Sequence, residues 1–126
     1  MPSLRLVNTP TRRPIIELRI NGRMYRFLID TGATHTVLDP SLIPELNKEQ
    51  EASRRVRRCY TVDNTTQGES IAVCFRFVGV VVREIMIHPA IAEHYDKTSG
   101  LIGQDILQQF KSVTFDNVRH TVRFEV

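Results

Sequence analysis

Residues 27–33 read Phe27-Leu28-Ile29-Asp30-Thr31-Gly32-Ala33, a carboxylate placed where an apolar strand ends. The apolar approach puts Asp30 in partly dry surroundings, where an unpaired carboxylate is costly. Thr31 offers a hydroxyl to a neighbouring backbone group, and Gly32 allows another backbone to come close. A costly residue in such a place indicates function. An Asp that ends a strand is more often a turn former, however, and on these residues alone that interpretation is the commoner one.

Alternating apolar residues and turn residues on both sides of this stretch predict a series of short strands. Asn21-Gly22 supports the positive backbone angles of a tight type I′ turn and predicts a hairpin of residues 15–20 and 24–29. A second hairpin is predicted over residues 59–77, with its tip at residues 63–68. The remaining predicted elements are strands at 37–38, 80–87 and 101–103, a helix at 104–110, and a hairpin of residues 113–117 and 121–126. This order predicts an all-β, closed or barrel-like domain with one short helix near the C-terminus.

Length and composition predict one globular domain with a modest core, because the chain has 126 residues, 41% of them hydrophobic and 25% charged. The net charge of +3 is mild, so a nucleic-acid partner is not expected. No apolar run approaches the roughly 18 residues of a membrane span, and the N-terminus lacks the apolar segment of a signal peptide. Residues 1–13 are predicted to stay flexible until they pair with another segment, which leaves residues 14–126 as the domain.

The two cysteines, Cys59 and Cys74, lack the spacing of a metal site, and no metal or cofactor is predicted. Without a secretory signal, two unlinked thiols in a reducing compartment are favoured. The two residues lie at similar distances from the predicted hairpin tip. A disulfide across that hairpin is therefore the alternative.

Two segments together resemble the retropepsins, the aspartic proteases of retroviruses and LTR retrotransposons. Leu28-Ile29-Asp30-Thr31-Gly32-Ala33 is similar to the family's catalytic signature, and Leu101-Ile102-Gly103-Gln104-Asp105-Ile106-Leu107 is similar to the segment that opens its helix. A hairpin before the signature and a flap-like hairpin after it follow the family's order. The resemblance covers residues 14–126 and implies the acid-protease fold, with one lobe in each chain.

The resemblance implies an endopeptidase in which two aspartates share one proton and hold a water molecule. The chain has one such signature, so the second aspartate is expected to be Asp30 of another copy, in a homodimer. Thr31 would lock the two loops together, with Gly32 and Ala33 completing the active-site loop. The expected substrate is an extended polypeptide, bound by Thr34, His35, the flap residues Thr65, Thr66, Gln67 and Gly68, and the wall residues Pro89, Ala90 and Ile91. Core packing would explain the last three nearly as well.

The sequence departs from the family at several positions near the site. Many members have an acid after the signature's Ala and an Arg after the late Gly, but here these positions are Thr34 and Gln104. A neutral contact between them is the hypothesis that replaces the usual ion pair. Arg13 matches an Arg that braces the partner subunit, although its usual acidic partner is absent. Asp105 is expected to cap or brace the helix rather than to take part in catalysis, and His35 is more often a surface residue in such a position.

Three functions fit these features. The favoured one is the processing of a Gag–Pol-like polyprotein, including the protease itself, in the cytoplasm or within a virus-like particle. A cellular retropepsin-like protease with a regulatory role is the first alternative. The second is a non-catalytic retropepsin fold used for dimerisation or nucleic-acid binding, which the arginine cluster at residues 54–58 supports. That cluster is more often a solvated surface segment.

Overall fold

The computed structural model of the chain describes residues 2–20, 22–42, 44, 57–60, 67–87 and 97–126. Of residues 57–60, 67–72 and 74, only the backbone is described. The described elements are the strands β1 (Ser3–Arg5), β2 (Ile15–Ile20), β3 (Arg23–Ile29), β4 (Val37–Leu38), β5 (Arg57–Tyr60), β6 (Gln67–Phe77), β7 (Val80–Ile87), β8 (Gly100–Ile102), β9 (Ser112–Asp116) and β10 (Thr121–Glu125), the 3-10 helix Pro40–Leu42 and the helix α1 (Gln104–Leu107). The predicted mostly-β fold with a short helix near the C-terminus is confirmed.

Seven strands form a curled half-barrel sheet in the order β2-β3-β8-β4-β7-β6-β5. The predicted first hairpin is present, because Ile20 pairs with Arg23 across a two-residue turn. Gly22 has a φ of 81°, the left-handed value that a type I′ turn requires. The turn chemistry is local, which is why the sequence predicts this hairpin to within a residue.

The centre of the sheet brings two distant chain segments to one edge. β3 runs parallel to β8, with Leu28 opposite Leu101, and β8 runs antiparallel to β4. Parallel strands end at the same edge of a sheet. Asp30, which follows β3, therefore lies beside Gly103, which follows β8.

The hairpin of β6 and β7 turns through Val78 and Gly79, whose φ angles are 48° and 88°. A bulge between Ala72 and Phe75 shifts the register of these two strands. On the other side of β6, Tyr60 pairs with Gln67 and Cys59 pairs with Gly68. The predicted tip at residues 63–68 therefore extends two residues too far, because Gln67 and Gly68 of β6 already pair with β5. The connection itself, residues 61–66, lies outside the described residues.

The register of β5 and β6 also decides the relation between the two cysteines. Cys59 lies opposite Gly68, six residues before Cys74 on the same strand. Six residues of strand span about 20 Å, whereas a disulfide needs Cα atoms within about 7 Å. The two residues do not face each other, so a disulfide across this hairpin is the wrong alternative.

The remaining strands form a second sheet, the terminal sheet, in the order β1-β10-β9. Within the N-terminal segment that was predicted to be flexible until it pairs, residues 3–6 pair with other parts of the same chain. Leu4 pairs with Val122 of β10, and Leu6 forms a bridge with Ile16 of β2. Sequence alone does not show this pairing, because the two strands lie at opposite ends of the chain.

The main core lies between the half-barrel and the terminal sheet. Phe124 of β10 is fully buried, with its ring centroid 5.5 Å from that of Phe77 and 4.9 Å from that of Phe110. A second, smaller cluster of buried apolar side chains includes residues on both sides of Asp30 in the sequence. It consists of Ile15, Leu28, Ala33, Val37, Met86 and Leu101. Burial of these apolar side chains supplies the main driving force for folding.

Helix α1 is shorter than the predicted helix at 104–110. Gln109 and Phe110 donate their backbone N–H groups to carbonyls three residues earlier, so the last turn tightens after Leu107. The chain then turns into β9, where Lys111 N–H donates to the Glu125 carbonyl. The predicted apolar face is nevertheless confirmed, because Ile106, Leu107 and Phe110 are all buried.

Candidate active site

The segment from Asp30 to Thr36, here called the Asp30 loop, begins where the ladder of β3 ends. Asp30 N–H donates to the Ile102 carbonyl at 2.9 Å, which ties the start of the loop to β8. Ala33 N–H donates back to the Asp30 carbonyl at 3.2 Å and closes a tight turn. The Asp30 side chain is half-buried, while Thr31 and Gly32 are exposed. The loop therefore presents its carboxylate at the surface of a rigid sheet.

A backbone amide orients the Asp30 carboxylate. Gly32 N–H donates to Asp30 Oδ1 at 3.0 Å. A hydrogen bond to a charged acceptor is stronger than one between neutral groups and fixes the side-chain rotamer. One oxygen of the carboxylate is thus held by the loop's own backbone.

The start of α1 holds the Asp30 loop from the other side through three donors. Gln104 Nε2 donates to the Thr31 carbonyl at 2.8 Å. The backbone N–H groups of Gln104 and Asp105 donate to the carbonyls of Ala33 and Thr34 at 2.8 and 3.2 Å. The hypothesis of a contact between the side chains of Gln104 and Thr34 is therefore wrong: the Gln104 amide binds the backbone of Thr31 instead.

Asp105 and Thr36 form a buried polar brace behind the loop. Asp105 Oδ1 accepts hydrogen bonds from Thr36 Oγ1 at 2.7 Å, from Thr36 N–H at 2.9 Å and from Ile106 N–H at 2.9 Å. Thr36 Oγ1 in turn accepts from Gly103 N–H at 2.9 Å. Asp105 thus has the bracing geometry expected of it. Thr36, which is completely buried, is a residue that the sequence analysis missed.

Gly103 is the point at which the two segments come closest. A Cβ atom at this position would lie 2.6 Å from the carbonyl carbon of His35 and 2.9 Å from the Ala33 oxygen. Real Cβ atoms do not approach backbone atoms so closely, so only glycine fits here. The late Gly of the Leu101-Ile102-Gly103 segment is thereby explained by backbone packing.

The sequence model of the family described as retroviral aspartyl protease matches residues 10–113, most of the chain. The chain belongs to this family. The resemblance expected from the sequence is confirmed, and with it the assignment to the aspartic proteases at the level of the family.

Comparison with solved structures supports the same fold. A retropepsin-like aspartic protease from Rickettsia conorii is similar to this chain with a TM-score of 0.63, although the two sequences are only 15% identical. The match covers 98% of this chain and 90% of the other. Among curated proteins, none gives a significant sequence match.

The remaining residues that the sequence assigned to the site are placed as follows. Within the Asp30 loop, Thr34 and His35 are exposed and Ala33 is buried. The structure therefore brings together Asp30, Thr31, Gly32, Ala33, Thr34, His35, Gln104 and Asp105. Thr65, Thr66, Pro89, Ala90 and Ile91 lie outside the described residues, as do residues 54–56 of the arginine cluster, and of Gln67 and Gly68 only the backbone is described.

A cavity of about 720 Å³ adjoins the Asp30 loop at Thr31. It lies between the N-terminal segment and the turn of the C-terminal hairpin, which are joined by Leu6 N–H donating to the His120 carbonyl at 2.8 Å. Its lining residues include Arg12, Arg13 and His120. Arg13 and Thr31 therefore line the same cavity, and the predicted bracing of a partner subunit by Arg13 stays a prediction.

In the part of the chain that the structure describes, no three His, Cys, Asp or Glu side chains are grouped so that they could hold a metal ion. No helix among the same residues has the length and apolar character needed to cross a membrane.

Proposed function

We propose that the chain is one half of a homodimeric aspartic endopeptidase, in which Asp30 of two copies forms the catalytic pair. The observation that carries the proposal is the Asp30 loop itself. Its carboxylate is held at Oδ1 by Gly32 N–H at 3.0 Å, and its Thr31 and Gly32 are exposed. Membership of the retroviral aspartyl protease family supports the assignment.

A second copy is needed because the sequence contains a single Asp-Thr-Gly segment. Two Asp30 loops related by a two-fold axis would place equivalent carboxylates side by side. At a separation of about 3 Å two carboxylates do not both ionise, so the pair holds one proton between them. Thr31, which is exposed beside Asp30, is the residue through which the two loops would contact each other.

The pair would then hydrolyse a peptide bond by general acid–base catalysis. The ionised aspartate takes a proton from a water molecule, whose oxygen attacks the peptide carbonyl. The protonated aspartate hydrogen-bonds to the carbonyl oxygen and stabilises the tetrahedral intermediate. A proton is delivered to the departing nitrogen, the C–N bond breaks, and one proton again remains on the pair.

The substrate class follows from the exposed backbone around the site. An extended polypeptide can bind by strand-like hydrogen bonds to the loop and to the flap hairpin of β5 and β6. Thr34 and His35 are the candidate contacts from the loop. Residues 65–68 are candidates from the flap and residues 89–91 from the pocket wall. A Gag–Pol-like polyprotein, including the protease itself, in the cytoplasm or in a virus-like particle is the proposed biological setting.

The experiment that tests this proposal combines sedimentation with a peptide-cleavage assay over a range of protein concentration. Cleavage should rise with the fraction of dimer and should be blocked by pepstatin, since a single copy holds half of the site. Absence of cleavage by a confirmed dimer, over a peptide library and from pH 3 to 8, would contradict the enzyme and favour a non-catalytic dimerisation module.

A mixing experiment shows whether both copies supply Asp30. Unmodified protein is mixed with the Asp30→Asn variant at constant total concentration and allowed to exchange subunits. If both carboxylates are required, activity follows the square of the unmodified fraction, so an equal mixture keeps about a quarter of the activity. A linear dependence, which keeps about half, would mean that each Asp30 acts independently of the other, and retention of about three-quarters would mean that one Asp30 per dimer is sufficient.

A further inference from the structure

The contact between Gln104 and the Asp30 loop involves a single peptide group. The Thr31 carbonyl, which accepts from Gln104 Nε2 at 2.8 Å, belongs to the same planar unit as the Gly32 N–H, which donates to Asp30 Oδ1 at 3.0 Å. Peptide groups are rigid and planar, so fixing one end fixes the direction of the other. Gln104 and Asp30 therefore hold opposite ends of one peptide group.

We propose that Gln104 is a positioning residue for catalysis, which acts on Asp30 through the Thr31–Gly32 peptide group. The inference rests on the proposed function and deepens it. Hydrogen bonds in a chain polarise one another. A donor on the Thr31 carbonyl therefore makes the Gly32 N–H a better donor to the carboxylate and keeps Oδ1 from rotating away.

The two backbone donors of α1 cannot replace this contact. Gln104 N–H binds the Ala33 carbonyl and Asp105 N–H binds the Thr34 carbonyl, both beyond the peptide group that contacts Asp30. The Gln104 side chain thus supplies the hydrogen bond from α1 that reaches the Thr31–Gly32 unit. Because it is an amide, the contact has no charge of its own and is insensitive to pH.

A pair of variants separates the hydrogen bond from the packing of the side chain. Gln104→Met keeps the length of the side chain and removes the donor. It should lower kcat about tenfold or more, with a small change in KM, because the Asp30 rotamer is no longer fixed in the transition state. Gln104→Lys keeps a donor and should retain most of the activity.

Gln104→Glu provides a pH signature that a structural role would not give. An ionised Glu cannot donate and would place negative charge against the Thr31 carbonyl, whereas a protonated Glu can donate. The activity of this variant relative to unmodified protein should therefore recover as the pH falls through the ordinary Glu pKa of roughly 4.3 and somewhat above it. Gln104→Met, measured over the same pH range, is the control for this profile, because it shares Asp30, His35 and Asp105 with Gln104→Glu but carries no ionisable group at position 104.

Gln109→Met is the matched control, because Gln109 Nε2 also donates to a backbone carbonyl at 3.2 Å, but to that of Asp105 in α1. It should leave kcat unchanged. A readout independent of activity is the hydrogen exchange of the Gly32 amide by NMR, which should accelerate in Gln104→Met and not in Gln109→Met.

The outcomes separate this inference from the proposed function. Unmodified protein that cleaves peptides beside a Gln104→Met variant of equal kcat and equal Gly32 exchange overturns the inference alone. A pH profile of Gln104→Glu that runs parallel to that of the unmodified protein does the same. Unmodified dimer that cleaves no peptide overturns the proposed function, and the Gly32 exchange still shows whether Gln104 holds the peptide group.

Discussion

The Asp30 loop and the terminal sheet border the same cavity, but different interactions hold them in place. The loop is held by hydrogen bonds to single backbone groups, such as Gln104 Nε2 to the Thr31 carbonyl at 2.8 Å. The terminal sheet is held by strand pairing within the chain and by buried side chains such as Val122 and Phe124, neither of which is exposed. One region depends on individual polar atoms and the other on apolar area.

This difference separates function from stability within one small domain. Removing one polar atom near Asp30 changes the orientation of a reactive group but removes little apolar contact. Removing a ring from the terminal sheet opens a cavity in the main core but leaves the loop's hydrogen bonds unchanged. Substitutions in the two regions should therefore give opposite patterns of activity and stability.

The largest expected effect is the loss of catalysis in Asp30→Asn. Peptide cleavage should fall at least about 10³-fold, because an amide cannot accept the proton from water. The free energy of unfolding should change by less than about 0.5 kcal/mol, since the Asn oxygen can still accept from Gly32 N–H. Cleavage rates and urea unfolding measure the two. An active Asp30→Asn protein would remove Asp30 from its proposed role.

The reverse pattern is expected for Phe124→Ala in the terminal sheet. Loss of a fully buried ring that contacts Phe77 and Phe110 should cost about 3–5 kcal/mol of unfolding free energy. Val118→Ala is the control in the same hairpin, because Val118 is 91% exposed and should matter by less than about 0.5 kcal/mol. Equal urea midpoints for the two variants would show that the ring cluster is not part of the core.

An intermediate effect is expected where the two kinds of interaction meet, at Thr36. Thr36→Val removes the acceptor of Gly103 N–H and a donor to Asp105 Oδ1 in a buried place. The unfolding free energy should fall by about 1–3 kcal/mol. Thr114→Val, the same change at an exposed position of β9, should alter it by less than about 0.5 kcal/mol. If the two variants unfold at the same urea concentration, the brace does not stabilise the site.

The smallest effect concerns Asp116, at the start of the C-terminal hairpin turn. Hydrogen bonds from the backbone N–H of Arg119, and more weakly from that of Val118, lower the pKa of the Asp116 carboxyl below its ordinary value of 3.8. A lowered pKa means that the charged form stabilises the fold above pH 3.8, and that this stabilisation is lost as the pH falls through the folded-state pKa.

A carboxyl titration by NMR should therefore give an Asp116 midpoint below 3.8. Urea unfolding below that pH should show a slightly steeper loss of stability for unmodified protein than for Asp116→Asn. The effect is small because solvent screens the partly exposed carboxylate. A midpoint at or above the ordinary value would mean that, in solution, the backbone N–H groups of the turn do not form these hydrogen bonds to the Asp116 carboxylate.

Local signals in the sequence predicted most of the strands that form the half-barrel, whereas the role of the Asp30 loop was expected from the family resemblance. The turn at Asn21-Gly22 acts through neighbouring residues, so the two strands that it joins were predicted closely. Thr36 was missed because a buried hydroxyl between His35 and Val37 looks like any other threonine in the sequence. Its importance depends on Gly103 and Asp105, which are 67 and 69 residues away.

Two other features depend on register or on distant pairing, which composition does not encode. The position of Cys59 relative to Cys74 follows from the length of the connection between β5 and β6, and the assumption of a symmetric hairpin gave the wrong alternative. The pairing of β1 with β10 joins the two ends of the chain.

The Gln104 contact was expected at the correct residue but with the wrong partner, because a backbone carbonyl was not considered as the acceptor.

The pairing of β1 with β10 inside one chain has a consequence for how the proposed enzyme would be switched on. All three strands of the terminal sheet find their neighbours in the same polypeptide. Separated monomers of the proposed homodimer would thus stay folded but inactive. In the proposed homodimer, a higher local concentration of the chain would then favour pairing and proteolysis, and dilution would oppose both.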